Sequence, residues 1–165
     1  MGNESQVITI EIIIEQYGAA LWRLATTMEF DRTKCEDLYQ NMLIAIWQAL
    51  PKLREQIHLK AYIFRIARNR AISHLAYETN QQDKVTLDFD VPFDANPITE
   101  LLVQKRQQQL LAAIQALPLG QREVIALYFE GFSYAEIAEV LQISENNVGV
   151  RISRAGSKLS EILLP

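Results

Sequence analysis

The stretch Ser133–Lys158, SYAEIAEVLQISENNVGVRISRAGSK, leaves its part of the chain little choice of fold. Its apolar residues recur at helical spacing in two short runs, and the gap between the runs is long enough only for a tight turn. Ser133 with Glu136 three residues on predicts a capping box that opens the first helix, and Ile137, Ala138 and Leu141 give that helix one apolar stripe. Ser144 predicts the cap of a second helix, in which Val148, Ile152 and Leu159 face inward while Asn146, Asn147, Arg151, Arg154 and Lys158 remain outside. Side-chain amides and cations on the outer face of the second helix are the groups with which a helix-turn-helix meets base edges and phosphates. DNA binding is therefore expected, and an ordinary helical hairpin with a solvated polar face is the competing reading.

The remaining chain is helical as well. From Ser5 to Met28 apolar residues fall at Ile10, Ile13, Tyr17, Leu21, Leu24 and Met28, in steps of three and four. A second helix is predicted from about Lys34 to Leu50, with Leu38, Met42, Leu43, Ile46 and Trp47 as its stripe and Pro51 where it stops. A third, from about Leu59 to Glu78, buries Ile63, Ile66, Ala67 and Leu75 and turns Arg65 and Arg68 outward. Residues 79–97 lose the helical period, gain Pro92 and Pro97 and carry four aspartates, as a tether between separately folded parts does. Val85, Leu87, Phe89, Val91 and Phe93 alternate within that tether, so an extended segment that docks on a partner is the other reading. Beyond it, Asn96 and Pro97 open a helix carrying Leu101, Leu102, Leu110, Leu111 and Ile114 and ending at Pro118. A further helix over 121–130, closed by Gly131, leads into the helix-turn-helix. The expected fold class is all-α: a helical domain over 1–78, a flexible acidic linker over 79–97 and a helix-turn-helix domain over 98–165.

With 165 residues, of which 49% are hydrophobic, the chain can fill two small cores. Its longest apolar runs are far short of a membrane span, and Met1–Gln6 lacks the basic start of a secretory signal, so no membrane insertion and a cytoplasmic location are expected. The single cysteine, Cys35, reads as a structural thiol. The net charge of −4 argues against a nonspecific nucleic-acid coat. Its distribution says more: Lys52, Arg54, Lys60, Arg65, Arg68 and Arg70 lie within nineteen residues that contain only Glu55 as an anion. His58 and His74 have no carboxylate or cysteine at ligand spacing, and no phosphate loop, nucleophile elbow or catalytic carboxylate pair occurs, so neither an enzyme, a metal nor a cofactor is expected.

Finer residue patterns narrow the field. EDLYQNMLIAIWQAL (Glu36–Leu50), followed by AYIFRIARNRAISHL (Ala61–Leu75), resembles region 2 of bacterial sigma factors of the extracytoplasmic-function type. LPLGQREVIALYFEGFSYAEIAEVLQISENNVGVRISRA (Leu117–Ala155) resembles their region 4, a pattern shared in part with the output domains of LuxR-type regulators. The resemblance implies a detachable promoter-recognition subunit without catalysis of its own, which directs core RNA polymerase to specific promoters. It implies further that Asp37, Leu38, Gln40 and Asn41 grip the coiled coil of the polymerase beta-prime subunit over a core of Leu43, Ile46 and Trp47, and that the beta flap is a second polymerase contact. Lys60, Tyr62, Arg65, Arg68, Asn69 and Arg70 would engage the minus-ten element as single strand, where cations take phosphates and aromatics take bases. Of Tyr62 and Phe64 at least one must be core, and Tyr62 is favoured. Ser144, Asn146, Asn147, Arg151, Arg154 and Lys158 would read the minus-thirty-five element. An anti-sigma factor that wedges between the domains or clamps them completes the implied partners.

The chain departs from the family pattern at Asn41, where glutamate is common, at Ser73 and Ala76, where an aspartate and an arginine are, and at Gly149 and Gly156, where cations are. The departures at Ser73, Ala76, Gly149 and Gly156 support one alternative, a sigma-like DNA-binding regulator with weak or no promoter melting, and the acidic balance with sparse cations supports another, a protein-interaction module that binds a regulator through its apolar helical surfaces.

Overall fold

Helix α1 (Ile10–Met28) begins where Thr9 leaves the extended region and its hydroxyl accepts the N–H of Ile12. Helix α2 (Arg32–Leu53) and helix α3 (Leu59–Asn80) complete the N-terminal unit, and α4 (Thr99–Gln115), α5 (Leu119–Phe129), α6 (Tyr134–Leu141) and α7 (Glu145–Leu163) form the C-terminal one. The structure, a computed structural model, describes residues 7–53, 58–80 and 99–164, and these are helical throughout apart from the joins. Ser5, Arg54, residues 81–97 of the tether and with them the Asn96–Pro97 opening lie outside the described residues, while Thr79 and Asn80 continue α3 rather than open the tether.

The predicted stripes are largely the buried ones. Ile13, Leu21, Leu24 and Met28 of α1 meet Leu38, Met42 and Ile46 of α2 and Ile63 and Ala67 of α3. Pro51 does not end α2. The helix continues to Leu53, because a proline in the last turn forfeits one backbone bond while Leu53 is fully buried. Gly18 brings α1 close to α2, since a Cβ there would stand 3.2 Å from the Tyr39 hydroxyl. Glu29, just past α1, accepts the N–H groups of Phe30 and Asp31 at 3.1 Å and meets His74 Nε2 at 2.7 Å, tying the end of α1 to α3. Cys35 is buried, and burial, reinforced by Glu29, Glu36 and Asp31, pushes its thiol up to about 12, as befits an inert structural cysteine.

Three expected core assignments move. Trp47 is 59% exposed rather than beneath the surface of α2. Leu101 and Leu102 of α4 are also exposed, whereas Ile114 is buried and Leu110 and Leu111 are half-buried. Phe64, not Tyr62, is the fully buried aromatic of α3: it meets Tyr17 edge to face at 6.1 Å and Phe132 at 4.8 Å. Phe132 belongs to the C-terminal unit, so α3 is covered on two sides. α6 packs on α3, while α4 and α5 pack on α1, and one apolar core runs through both units.

Candidate nucleic-acid interface

The helix-turn-helix is assembled by three short-range devices. Ser133 Oγ accepts the N–H of Glu136 at 3.1 Å, and the Ser133 N–H donates to Glu136 Oε1 at 3.0 Å, closing the capping box. That backbone bond, helped by the serine hydroxyl and by Lys60, holds the Glu136 carboxyl below its usual range. α6 then ends at Gln142, which adopts the left-handed conformation (φ 55°, ψ 46°) and donates its N–H to the Ala138 carbonyl. Ser144 Oγ accepts the N–H of Asn147 at 3.1 Å and starts α7. Ser144 is thus occupied as a cap.

α7 buries Val148, Ala155 and Leu159 and leaves Asn146, Arg154 and Lys158 exposed. An open groove runs along its outer face, lined by Tyr134, Glu145, Asn146, Gly149, Val150, Ser153 and Arg154. A Cβ at Gly149 would touch the Tyr134 ring at 3.5 Å, so the glycine widens this groove. Asn147 and Arg151 are less available: Arg151 Nε donates to Asn147 Oδ1 at 3.2 Å, and its guanidinium lies over Gly120 at the start of α5.

The second candidate surface lies on α3. Arg65 and Arg68 do point away from α1 and α2, but they meet the C-terminal unit rather than open solvent. Arg68 Nε stands 2.8 Å from Glu123 Oε1, with Nη2 3.4 Å from Oε2, and the Glu123 side chain is only 3% exposed. Arg65 Nη2 donates to the Glu139 carbonyl at 2.8 Å. Lys60 Nζ sits 4.0 Å over the Phe132 ring and 3.7 Å from Glu136 Oε2. Tyr62 is half-buried, and Asn69 and Arg70 are exposed. Sequence reasoning missed Glu123: it follows Gln121 and Arg122 at the edge of the apolar run VIAL, where a glutamate reads as solvated, and only the docking of α5 beside α3 buries it.

The third surface is on α2. Asp37, Gln40 and Asn41 are exposed, as expected of a contact face. Leu38 is 0% exposed and belongs to the core, so it is removed from that set. Ile44 and Trp47 are exposed too, and steps of four and three from Gln40 bring them onto its face. That spacing was legible in the sequence.

No helix among the described residues is long and apolar enough to cross a membrane. Comparison with known proteins gives two family matches in chain order, sigma-70 region 2 over residues 13–81 and sigma-70 region 4 over residues 107–159. RNA polymerase sigma factor NccH of Alcaligenes xylosoxydans xylosoxydans is 27% identical over 160 residues, covering 92% of this chain and 84% of the relative. RNA polymerase sigma factor SigZ of Bacillus subtilis is 27% identical over 157 residues, covering 94% of this chain and 88% of the relative. Among solved structures, the sigma factor RpoE of Bartonella quintana, bound to the anti-sigma factor NepR, superposes with a TM-score of 0.74 at 26% identity, over 93% of this chain and 95% of that one. With both regions present, in order and in the observed all-helical arrangement, the chain belongs to the sigma-70 family of bacterial RNA polymerase sigma factors, in the two-region form of the extracytoplasmic-function type.

Proposed function

We propose that this chain binds core RNA polymerase in the cytoplasm and selects promoters through two DNA surfaces, without catalysing a reaction itself. The groove along α7 carries this reading: Asn146 and Arg154, both exposed on the outer face of a capped recognition helix, are able to pair with adenine and guanine edges. Lys158 adds a phosphate contact one turn further on. The cations of α3 take the single strand of the minus-ten element, with Asn69 and Arg70 at its margin. Asp37, Gln40 and Asn41, joined by Ile44 and Trp47, form the polymerase-binding face of α2. Residues 1–78 and 98–165 act as the two working units and residues 79–97 as their tether, and an anti-sigma factor regulates them as NepR does its own partner.

Reconstitution tests this. The chain added to bacterial core polymerase directs transcription from a cognate promoter, and Arg154→Ala combined with Asn146→Ala lowers that output at least tenfold while leaving core binding intact. Wild-type output from the double variant would refute the assignment of α7 as the reader.

A further inference from the structure

The outer face of α7 is not polar throughout. Asn146, Val150 and Arg154 follow one another in steps of four, so they form one row along the groove, and all three are exposed. The two ends of the row carry hydrogen-bonding groups, whereas Val150 presents methyls alone. Tyr134 of α6 widens this apolar spot. Its ring would stand 3.5 Å from a Cβ at Gly149, lines the same groove as Val150, and meets Tyr128 edge to face at 6.4 Å between centroids. Glycine at 149 leaves the ring and the valine open to the groove. Folding gives no reason for the valine: it stands outside the core, and a β-branched residue at an exposed helix position is a weaker helix former than alanine or lysine.

The apolar group that a base edge offers in the major groove is the thymine methyl. We propose that Val150, with the Tyr134 ring beside it, receives a thymine methyl of the upstream promoter element, so that α7 selects thymine between the bases met by Asn146 and Arg154. The inference rests on α7 being the duplex reader. A rise of about 1.5 Å per residue puts Val150 about 6 Å from each end of the row, and bases stack about 3.4 Å apart, so the thymine falls one or two base pairs from each of its neighbours. The contact discriminates without a hydrogen bond. Cytosine in the same place presents an amino donor and a bare C5 carbon, neither of which an apolar spot rewards, and purines carry no methyl. A protein anchor is the competing occupant. DNA is favoured because the spot is set between Asn146 on one side and Ser153 and Arg154 on the other, side chains of the kinds that read base edges.

The test uses the full-length chain assembled with core polymerase, wild type and Val150→Ser, on a duplex library randomised over the upstream element. Val150 is exposed, so the variant keeps its fold, which circular dichroism verifies. The wild type is expected to enrich a sequence containing thymine. Each enriched thymine is then replaced singly by deoxyuridine, which deletes the methyl and leaves every hydrogen-bonding group in place. At one position the wild type binds the deoxyuridine duplex about fourfold more weakly, the value of one buried methyl. Val150→Ser binds the two duplexes alike and no longer enriches thymine there. An enriched sequence in which no thymine responds to loss of its methyl overturns the proposal, and so does a Val150→Ser variant that still distinguishes thymine from deoxyuridine. If Val150→Ser instead weakens binding to core polymerase while base selection is unchanged, the spot belongs to a protein and the proposal falls. Failure of α7 as the reader shows separately: the wild type would then enrich no upstream sequence at all.

Discussion

Leu38 and Trp47 lie nine residues apart on α2 and exchange the roles that the family resemblance implies for them, which makes the pair a direct test of the proposed polymerase face. Leu38 is fully buried between α1 and α3, so Leu38→Ala leaves a cavity in a close-packed site and costs about 2–5 kcal/mol. Trp47→Ala removes an exposed side chain and shifts folding stability by less than about 0.5 kcal/mol. Binding reverses the order. Roughly 100–150 Å² of the Trp47 side chain remains to be covered by a partner, and at about 25 cal/mol per Å² its docking contributes about 2.5–4 kcal/mol. Truncation of such an anchor weakens core polymerase binding by roughly 30-fold or more. Urea denaturation followed by circular dichroism measures the first effect, and titration of labelled protein with core polymerase measures the second, with Leu38→Ala compared at a denaturant-free temperature where it is still folded. The reasoning fails if Trp47→Ala unfolds the protein more readily while polymerase affinity is unchanged, or if Leu38→Ala costs no stability.

The turn of the helix-turn-helix offers a gain of stability. Gln142 sits at φ 55°, where an L side chain is disfavoured by about 1–2 kcal/mol, and after allowance for the freer unfolded chain Gln142→Gly stabilises by about 0.5–1 kcal/mol, readable as a rise in melting temperature. Ser133→Ala removes the capping box and costs about 1 kcal/mol in the same assay. It also flattens the acid limb of the stability curve: the Glu136 carboxylate is favoured in the folded state, so its contribution is complete above the ordinary glutamate range and is lost as pH falls below it. Gly149→Ala raises helix stability by about 0.5–1 kcal/mol and is accommodated against Tyr134, but it narrows the groove, so melting temperature and cognate-duplex affinity are expected to move in opposite directions.

Periodicity in this chain reports which face of a helix is apolar, and it does so correctly where that face packs within the helix's own bundle. The stripe of α1, the two serine caps and the inward face of α7 were therefore all legible, since each is decided within four residues. α3 was not, because it is buried on two sides: Phe64 lies away from the Ile63–Ala67 stripe, and it is covered by Tyr17 of α1 together with Phe132 of a second body that packs on α3 through α6. Arg65 and Arg68 were read as outward-facing for the same reason. They do leave the first bundle, but pairing such as Arg68 with Glu123, fifty-five residues away, depends on how two units dock, and no local pattern carries that. Trp47 failed differently. A large aromatic next to Ile46 is assigned to the core by its hydrophobicity alone, yet one residue is a rotation of about 100° on a helix, enough to move it from the buried face to the polar one that holds Gln40. A tryptophan that folding leaves 59% exposed is better explained by a partner than by the core. On α2 the large apolar residues that stay exposed, Ile44 and Trp47, thus fall on the helix proposed to meet polymerase.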